Sequence, residues 1–179
     1  MSKRQGGWTK AENDFYPTPA PAVLPLLPFL PVGSHFYEPC AGAGDLIQHL
    51  SAHQRFCVGA CDIAPRGGFI MRRNCLDLTA ADLVHADVIV TNPPHSHKLL
   101  APIIEHLRRL KPTWLLLPLD WAATKRAAPY LKHCSDIVVI GRMKIIEGSS
   151  TAGFDNYAWL RFIEGRAMTI TPNFHNHRS

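Results

Sequence analysis

The stretch that most constrains this chain is Asp87-Val88-Ile89-Val90-Thr91-Asn92-Pro93-Pro94-His95. An apolar, β-branched run predicts a buried strand, and two prolines end it abruptly because neither can donate to a sheet ladder. An amide side chain, stiffened carbonyls and an imidazole are left at the strand's carboxyl end. That set suits a planar group carrying an NH2: the amide oxygen and a backbone carbonyl accept its two N–H bonds, and the ring stacks on its face. For Pro-Pro alone, a plain turn is the simpler reading. Asn-Pro-Pro followed by a ring favours the amine.

The rest of the chain supplies a setting for that strand. His35 to Cys40 predicts a first strand, Ala41-Gly42-Ala43-Gly44-Asp45 a glycine turn, and Leu46 to His53 a helix. Strand, Gly-x-Gly and helix is the arrangement in which a nucleotide-like ligand approaches backbone that lacks Cβ atoms. The third glycine of the dinucleotide fingerprint is missing, which argues against a pyrophosphate cofactor. Glu38, at the strand end, repels phosphate and can hold an ammonium. A second strand over Arg55 to Cys61 ends in Asp62, placed to accept ribose hydroxyls or, more simply, to form a turn before Pro65. Phe69 to Met71 predicts a short third strand. Asp77 follows a small apolar patch where an adenine ring can lie, and Thr79 to His85 predicts a short helix capped by Thr79.

Beyond the opening strand, Lys98 to Leu110 has helical spacing, with Leu99, Ile103, Leu107 and Leu110 on one face. Trp114 to Leu119 predicts a fifth strand, Ala122 to His133 a helix, Ile137 to Ile140 a sixth strand continued by Met143 to Ile146, and Tyr157 to Ile163 a seventh. Upstream, Thr18 and Pro19 predict the start of a helix made irregular by Pro21, Pro25 and Pro28. The expectation is an α/β layer fold: a seven-stranded, mostly parallel sheet with the last strand antiparallel and helices on both faces. Residues 1–13 read as a flexible N-terminus, 14–165 as a single domain and 166–179 as a tail.

With 179 residues there is enough chain for one sheet-centred core. No apolar run approaches the roughly 20 residues of a membrane span, and Val23 to Val32 is broken by prolines. Neither a secretion signal nor a membrane segment is expected. Five scattered cysteines form no disulfide framework and fit a reducing cytoplasm. The net charge of +5 leans toward an anionic partner. His95-Ser96-His97 lacks the spaced Cys or Asp partner of a metal site, and none is expected.

Together these motifs resemble the S-adenosylmethionine-dependent DNA adenine (N6) methyltransferases, especially the short phage-type members with a Rossmann-like class I fold. The resemblance covers roughly Asp14 to Phe162. Glu38-Pro39-Cys40-Ala41-Gly42-Ala43-Gly44 is similar to their cofactor motif, and Thr91-Asn92-Pro93-Pro94-His95 to their catalytic motif. Asp14-Phe15-Tyr16-Pro17-Thr18-Pro19 resembles the segment folded over the methionine end of the cofactor. Gly141 to Lys144 with Gly153 to Trp159 resembles the hairpin that closes the target pocket.

The resemblance implies S-adenosylmethionine as cofactor. Glu38, Pro39, Cys40, Ala41, Gly42 and Gly44 would hold its methionine end beside Phe15, Tyr16 and Thr18. Asp62 with Ile63 would take the ribose, and Asp77 with Leu78 the adenine. Asn92 (also beside the cofactor), Pro93 and Pro94 would bind the target amine, and His95 would stack on a flipped base. His95 departs from the family, which more often has Tyr or Phe there. The catalytic fold uses the whole chain, so the expectation is relaxed sequence specificity, a very short recognition sequence or reliance on a recognition partner; a homodimer is a separate expectation. The expected partner is DNA, including single-stranded or non-specific contact, in preference to RNA. The alternatives are an RNA-base or protein-glutamine methyltransferase, or a catalytically weak cofactor-binding subunit.

Overall fold

The computed structural model describes residues 17–143, 155–165 and 172–176. The expected flexible N-terminus, Phe15, Tyr16, and the continuation of the sixth strand past Met143 lie outside the described residues. The described strands are β1 (His35–Glu38), β2 (Phe56–Asp62), β3 (Met71–Arg72), β4 (Val88–Thr91), β5 (Thr113–Pro118), β6 (Cys134–Met143), β7 (Asp155–Phe162) and β8 (Asn173–Asn176). They form one sheet in the order β3-β2-β1-β4-β5-β7-β6-β8. All pairings are parallel except those of β7, which runs antiparallel to β5 and β6.

Eight strands stand where seven were expected. Residues 173–176, read as part of a tail, pair with β6 from Asp136↔Asn173 to Val139↔Asn176. His175 Nε2 lies 3.1 Å from Asp136 Oδ1, and its ring meets Phe29 edge-on with centroids 4.6 Å apart. Those anchors come from residues distant in sequence, so a polar four-residue strand leaves no local signal.

Alternation along the central strands divides the core. Val88 and Val90 of β4, and Trp114 and Leu116 of β5, face the layer built by α1 (Asp45–Ser51) and the proline-rich segment 20–30. Ile89, Leu115 and Leu117 face the opposite layer, led by α2 (His97–Leu110). The proline-rich segment is not α-helical but two 3-10 turns, Ala20–Ala22 and Leu24–Phe29, because its prolines remove the donors an α-helix needs. Trp159, fully buried on β7, fastens this segment by donating from Nε1 to Ala22 O at 2.8 Å. Arg55, also buried, donates from its guanidinium to Leu27 O and Leu30 O.

Helix α2 carries Pro102 in its interior, a cost of about 3 kcal/mol. It also buries Leu100, Ile103, Ile104 and Leu107, each contributing roughly 1.5–3 kcal/mol, so packing outweighs the proline. The buried face differs from expectation: Leu100 and Ile104 are inside, while Leu99 is 46% exposed. The single helix expected over Ala122 to His133 is two short ones, α3 (Leu119–Ala122) and α4 (Ala128–Leu131). Thr124 Oγ1 accepts from Ala127 N and donates to Trp121 O, closing a turn between them. The expected helix over Thr79 to His85 is a 3-10 turn, Ala80–Leu83. Likewise the third strand starts only at Met71, after Gly67 and Gly68.

Candidate active site

Strand β1 sits between β2 and β4, so the chain leaves it toward one side and returns on the other. Parallel strands that part in this way open a crevice at their carboxyl ends. The cavity there is walled by Glu38 to Gly42 after β1, Asp62 to Ala64 after β2, Asn74 to Leu76, Asn92 and Pro94 after β4, and Leu99 and Ile103 of α2.

The glycine turn forms the floor. Gly42 and Gly44 have φ of 55° and 93°, left-handed values that favour glycine. A Cβ on Gly44 would stand 2.8 Å from the Phe69 ring. Asp62 braces this turn: Oδ2 accepts from Gly42 N and Oδ1 from Ala64 N, both at 2.8 Å. The turn-forming role of Asp62 is therefore realised, and its carboxylate also lies on the cavity wall, where the ribose role was expected.

Glu38 is 2% exposed, and its Oε2 has no hydrogen-bond partner among the described residues. Burial, then the nearby carboxylates of Asp45 and Asp62, push its pKa well above the ordinary 4.5. A buried acid with an unmet oxygen is costly unless a donor arrives. Asp45, in the first turn of α1, was not singled out from the sequence, although an acid directly after Gly-x-Gly was a usable signal. Three carboxylates against one lining cation, Arg66, suit a cationic ligand and disfavour phosphate.

Cys40 and Cys75 also line the cavity. A shared hydrogen bond with Cys75, followed by burial, raises the Cys40 pKa. Cys40 follows β1, and Cys75 opens the turn at Cys75–Asp77, where Asn74 Oδ1 accepts from Leu76 N at 3.0 Å. The wall on this side is Asn74, Cys75 and Leu76. Asp77 is exposed and Leu78 buried, and neither lines the cavity. With Leu99 and Ile103, Leu76 supplies an apolar side that spacing could not assign.

At the mouth, Asn92 Nδ2 donates to Thr18 Oγ1 at 3.3 Å. Thr18 is 5% exposed and caps no helix; its hydroxyl serves this contact. Pro94 borders the cavity, whereas Pro93 is buried and is not a wall residue. His95 turns away from the cavity toward β5 and β7. Its Nε2 lies 3.3 Å from Leu116 O, and its ring centroid is 5.9 Å from that of Tyr157. Cavity and imidazole thus flank the Asn92–Pro94 turn on two sides. Among the described residues no cluster of three or more His, Cys, Asp or Glu is arranged to hold a metal ion.

Solved structures share this architecture. A candidate class I S-adenosylmethionine-dependent methyltransferase from Listeria monocytogenes superposes with a TM-score of 0.53 over 89% of this chain, at 11% identity. The fold is that of the class I S-adenosylmethionine-dependent methyltransferases. A type I restriction-modification methyltransferase subunit from Streptococcus thermophilus matches 85% of the chain with a TM-score of 0.52 at 12% identity. A modification subunit of a candidate type I restriction enzyme from Vibrio vulnificus matches 90% with a TM-score of 0.50 at 15% identity. The chain spans 61%, 45% and 47% of those three proteins, respectively. At the sequence level no protein-family model and no curated protein matches.

S-adenosylmethionine is the group this fold implies, and the residues present fit it. The unmet Oε2 of Glu38 and the excess of cavity carboxylates match a ligand that carries an ammonium and a sulfonium and no phosphate.

Proposed function

We propose that the chain is an S-adenosylmethionine-dependent methyltransferase acting on the exocyclic amino group of adenine in DNA. One observation carries this reading: Asn92 and Pro94 border the acid-lined cavity, with a ring at His95 on the far side of their turn. Bound S-adenosylmethionine would supply an electrophilic methyl group on sulfur. Glu38 would hold the ammonium, and Asp62, already bracing the glycine turn, would keep the floor in shape for the ribose. Leu76 and Leu99 would flank the adenine.

Thr18 Oγ1 takes the donor end of the Asn92 amide and so orients its acceptor oxygen. Asn92 Oδ1 and the Pro93 carbonyl would accept the two N–H bonds of the target amine, leaving the nitrogen lone pair for the methyl group. The methyl carbon would pass from sulfur to nitrogen, its new bond forming as the bond to sulfur breaks, and the methylated nitrogen would lose its proton to solvent. Holding both partners in line lowers the barrier without a tuned base. His95, backed by Tyr157, would stack on the extruded base.

The DNA assignment rests on the Asn-Pro-Pro-His sequence. It draws further support from the two structural neighbours described as type I restriction-modification subunits, which also favour a recognition partner. Labelled-methyl transfer to unmethylated DNA, RNA and protein tests it. DNA should take the label at adenine N6, and Asn92→Ala should lower the rate by about 100-fold or more. Label appearing only in RNA or protein, or full activity in the variant, would sink the assignment.

A further inference from the structure

Charge is segregated around this site. The cavity wall carries Glu38, Asp45 and Asp62 with one cation, Arg66, whereas the elements next to the Asn92–Pro94 turn, α2 and the α3–α4 segment, carry the exposed Lys98, Lys125 and Arg126. Lys98 is exposed in the first turn of α2, which starts three residues after Pro94. Lys125 and Arg126 are exposed on the turn between α3 and α4. Thr124 closes that turn through Trp121 O and Ala127 N. Its downstream end reaches α2: the Tyr130 ring meets His97 edge-on at 6.4 Å. Strand β5, which leads into α3, is hydrogen-bonded to β4 at Thr91↔Leu115, one residue before Asn92. The three cations and the target turn therefore sit on adjoining elements.

None of the three forms an ion pair among the described residues. Arg72, Lys111 and Lys132 likewise form none there, whereas Arg73, Arg108, Arg109 and Arg161 are each paired with a carboxylate. Asp120, exposed on α3, is the only acid between Leu119 and Leu131. An exposed cation gains little from one neighbouring acid, but it gains by displacing counterions from a polyanion.

We propose that Lys98, Lys125 and Arg126 form a phosphate-binding rim that holds the backbone of the nucleic acid whose base enters the Asn92 turn. This rests on the methyl-transfer reading and extends it to the surface that docks the substrate. An excess of acid inside the cavity and of base on the adjoining elements matches two substrates of opposite charge. Contacts of this kind position a strand and carry no sequence information, so the rim serves any sequence.

Fluorescence anisotropy of the full chain with labelled mixed-sequence duplex and single-stranded DNA tests the rim, with polyglutamate as a second polyanion. The double variant Lys125→Ala/Arg126→Ala should bind DNA about tenfold or more weakly at low salt. Its log Kd against log[salt] slope should be shallower by roughly 1.5–2 for duplex, while the thermal shift by S-adenosylmethionine is unchanged. Arg109→Ala, at the far end of α2, should leave both affinity and slope as they are. Unchanged slopes in the double variant overturn the proposal, as does polyglutamate binding as tightly as DNA. DNA that binds through the rim yet accepts no label overturns the adenine reading alone. Transfer to DNA that ignores Lys125 and Arg126 overturns the rim alone.

Discussion

Glu38 is the residue whose state depends most on what occupies the cavity. Its folded pKa is raised by burial and by Asp45 and Asp62, so the native protein binds this proton more tightly than the unfolded chain does. Its contribution to stability is therefore fully present below the ordinary value of 4.5 and is lost as pH rises through the raised value. The ligand-free protein should therefore lose melting temperature as pH increases above 4.5. Glu38→Gln, which mimics the neutral acid, should flatten that part of the curve, and a thermal-melt pH series checks it. The same variant should bind S-adenosylmethionine about 10- to 100-fold more weakly by calorimetry, because an amide cannot offer a charge-assisted bond to an ammonium. A variant that keeps wild-type affinity would remove Glu38 from the ammonium site.

Two contacts at the scale of elements hold the site in place from a distance. Trp159 on β7 fastens the proline-rich segment through Ala22 O, and that segment follows directly on Thr18, the partner of Asn92. Trp159→Phe keeps most of the packing but strands a buried carbonyl, so it should cost about 1–3 kcal/mol in chemical denaturation. On β2, Gly59 lies against the Tyr37 ring, and a Cβ there would come within 2.5 Å of Cε2. Tyr37 is buried, with its phenol pKa raised by burial, and has little room to retreat. Gly59→Ala should therefore destabilise by roughly 1–3 kcal/mol through overpacking, read in the same denaturation experiment. An exposed glycine such as Gly68, with nothing near its absent side chain, should accept alanine more readily.

For the molecule as a whole, the cavity joins residues from β1, β2, α1, α2 and the turn after β4, so ligand binding should stabilise all of it at once. At a concentration 100 times its Kd, S-adenosylmethionine should add about 2.7 kcal/mol and raise the melting temperature by roughly 5–10 °C. A melt with no shift would reject it as the ligand. Among the described residues no helix is long and apolar enough to cross a membrane.

What the sequence determined by itself is whatever local chemistry enforces. Prolines end β4 at Asn92, glycines make the turn before α1, and the apolar runs of β4 and β5 make central strands. These preferences act over a few residues and survive any packing. Only the tertiary structure decided the rest. It gave Thr18 to Asn92 rather than to a helix cap, used Asp62 to brace the glycine turn, and put Leu76, not Asp77, on the cavity wall. It also turned His95 toward Tyr157 and made a strand of residues 173–176. The unmet oxygen of Glu38 is the clearest case. Desolvation and pairing depend on which distant groups share the interior, and no window of sequence contains them.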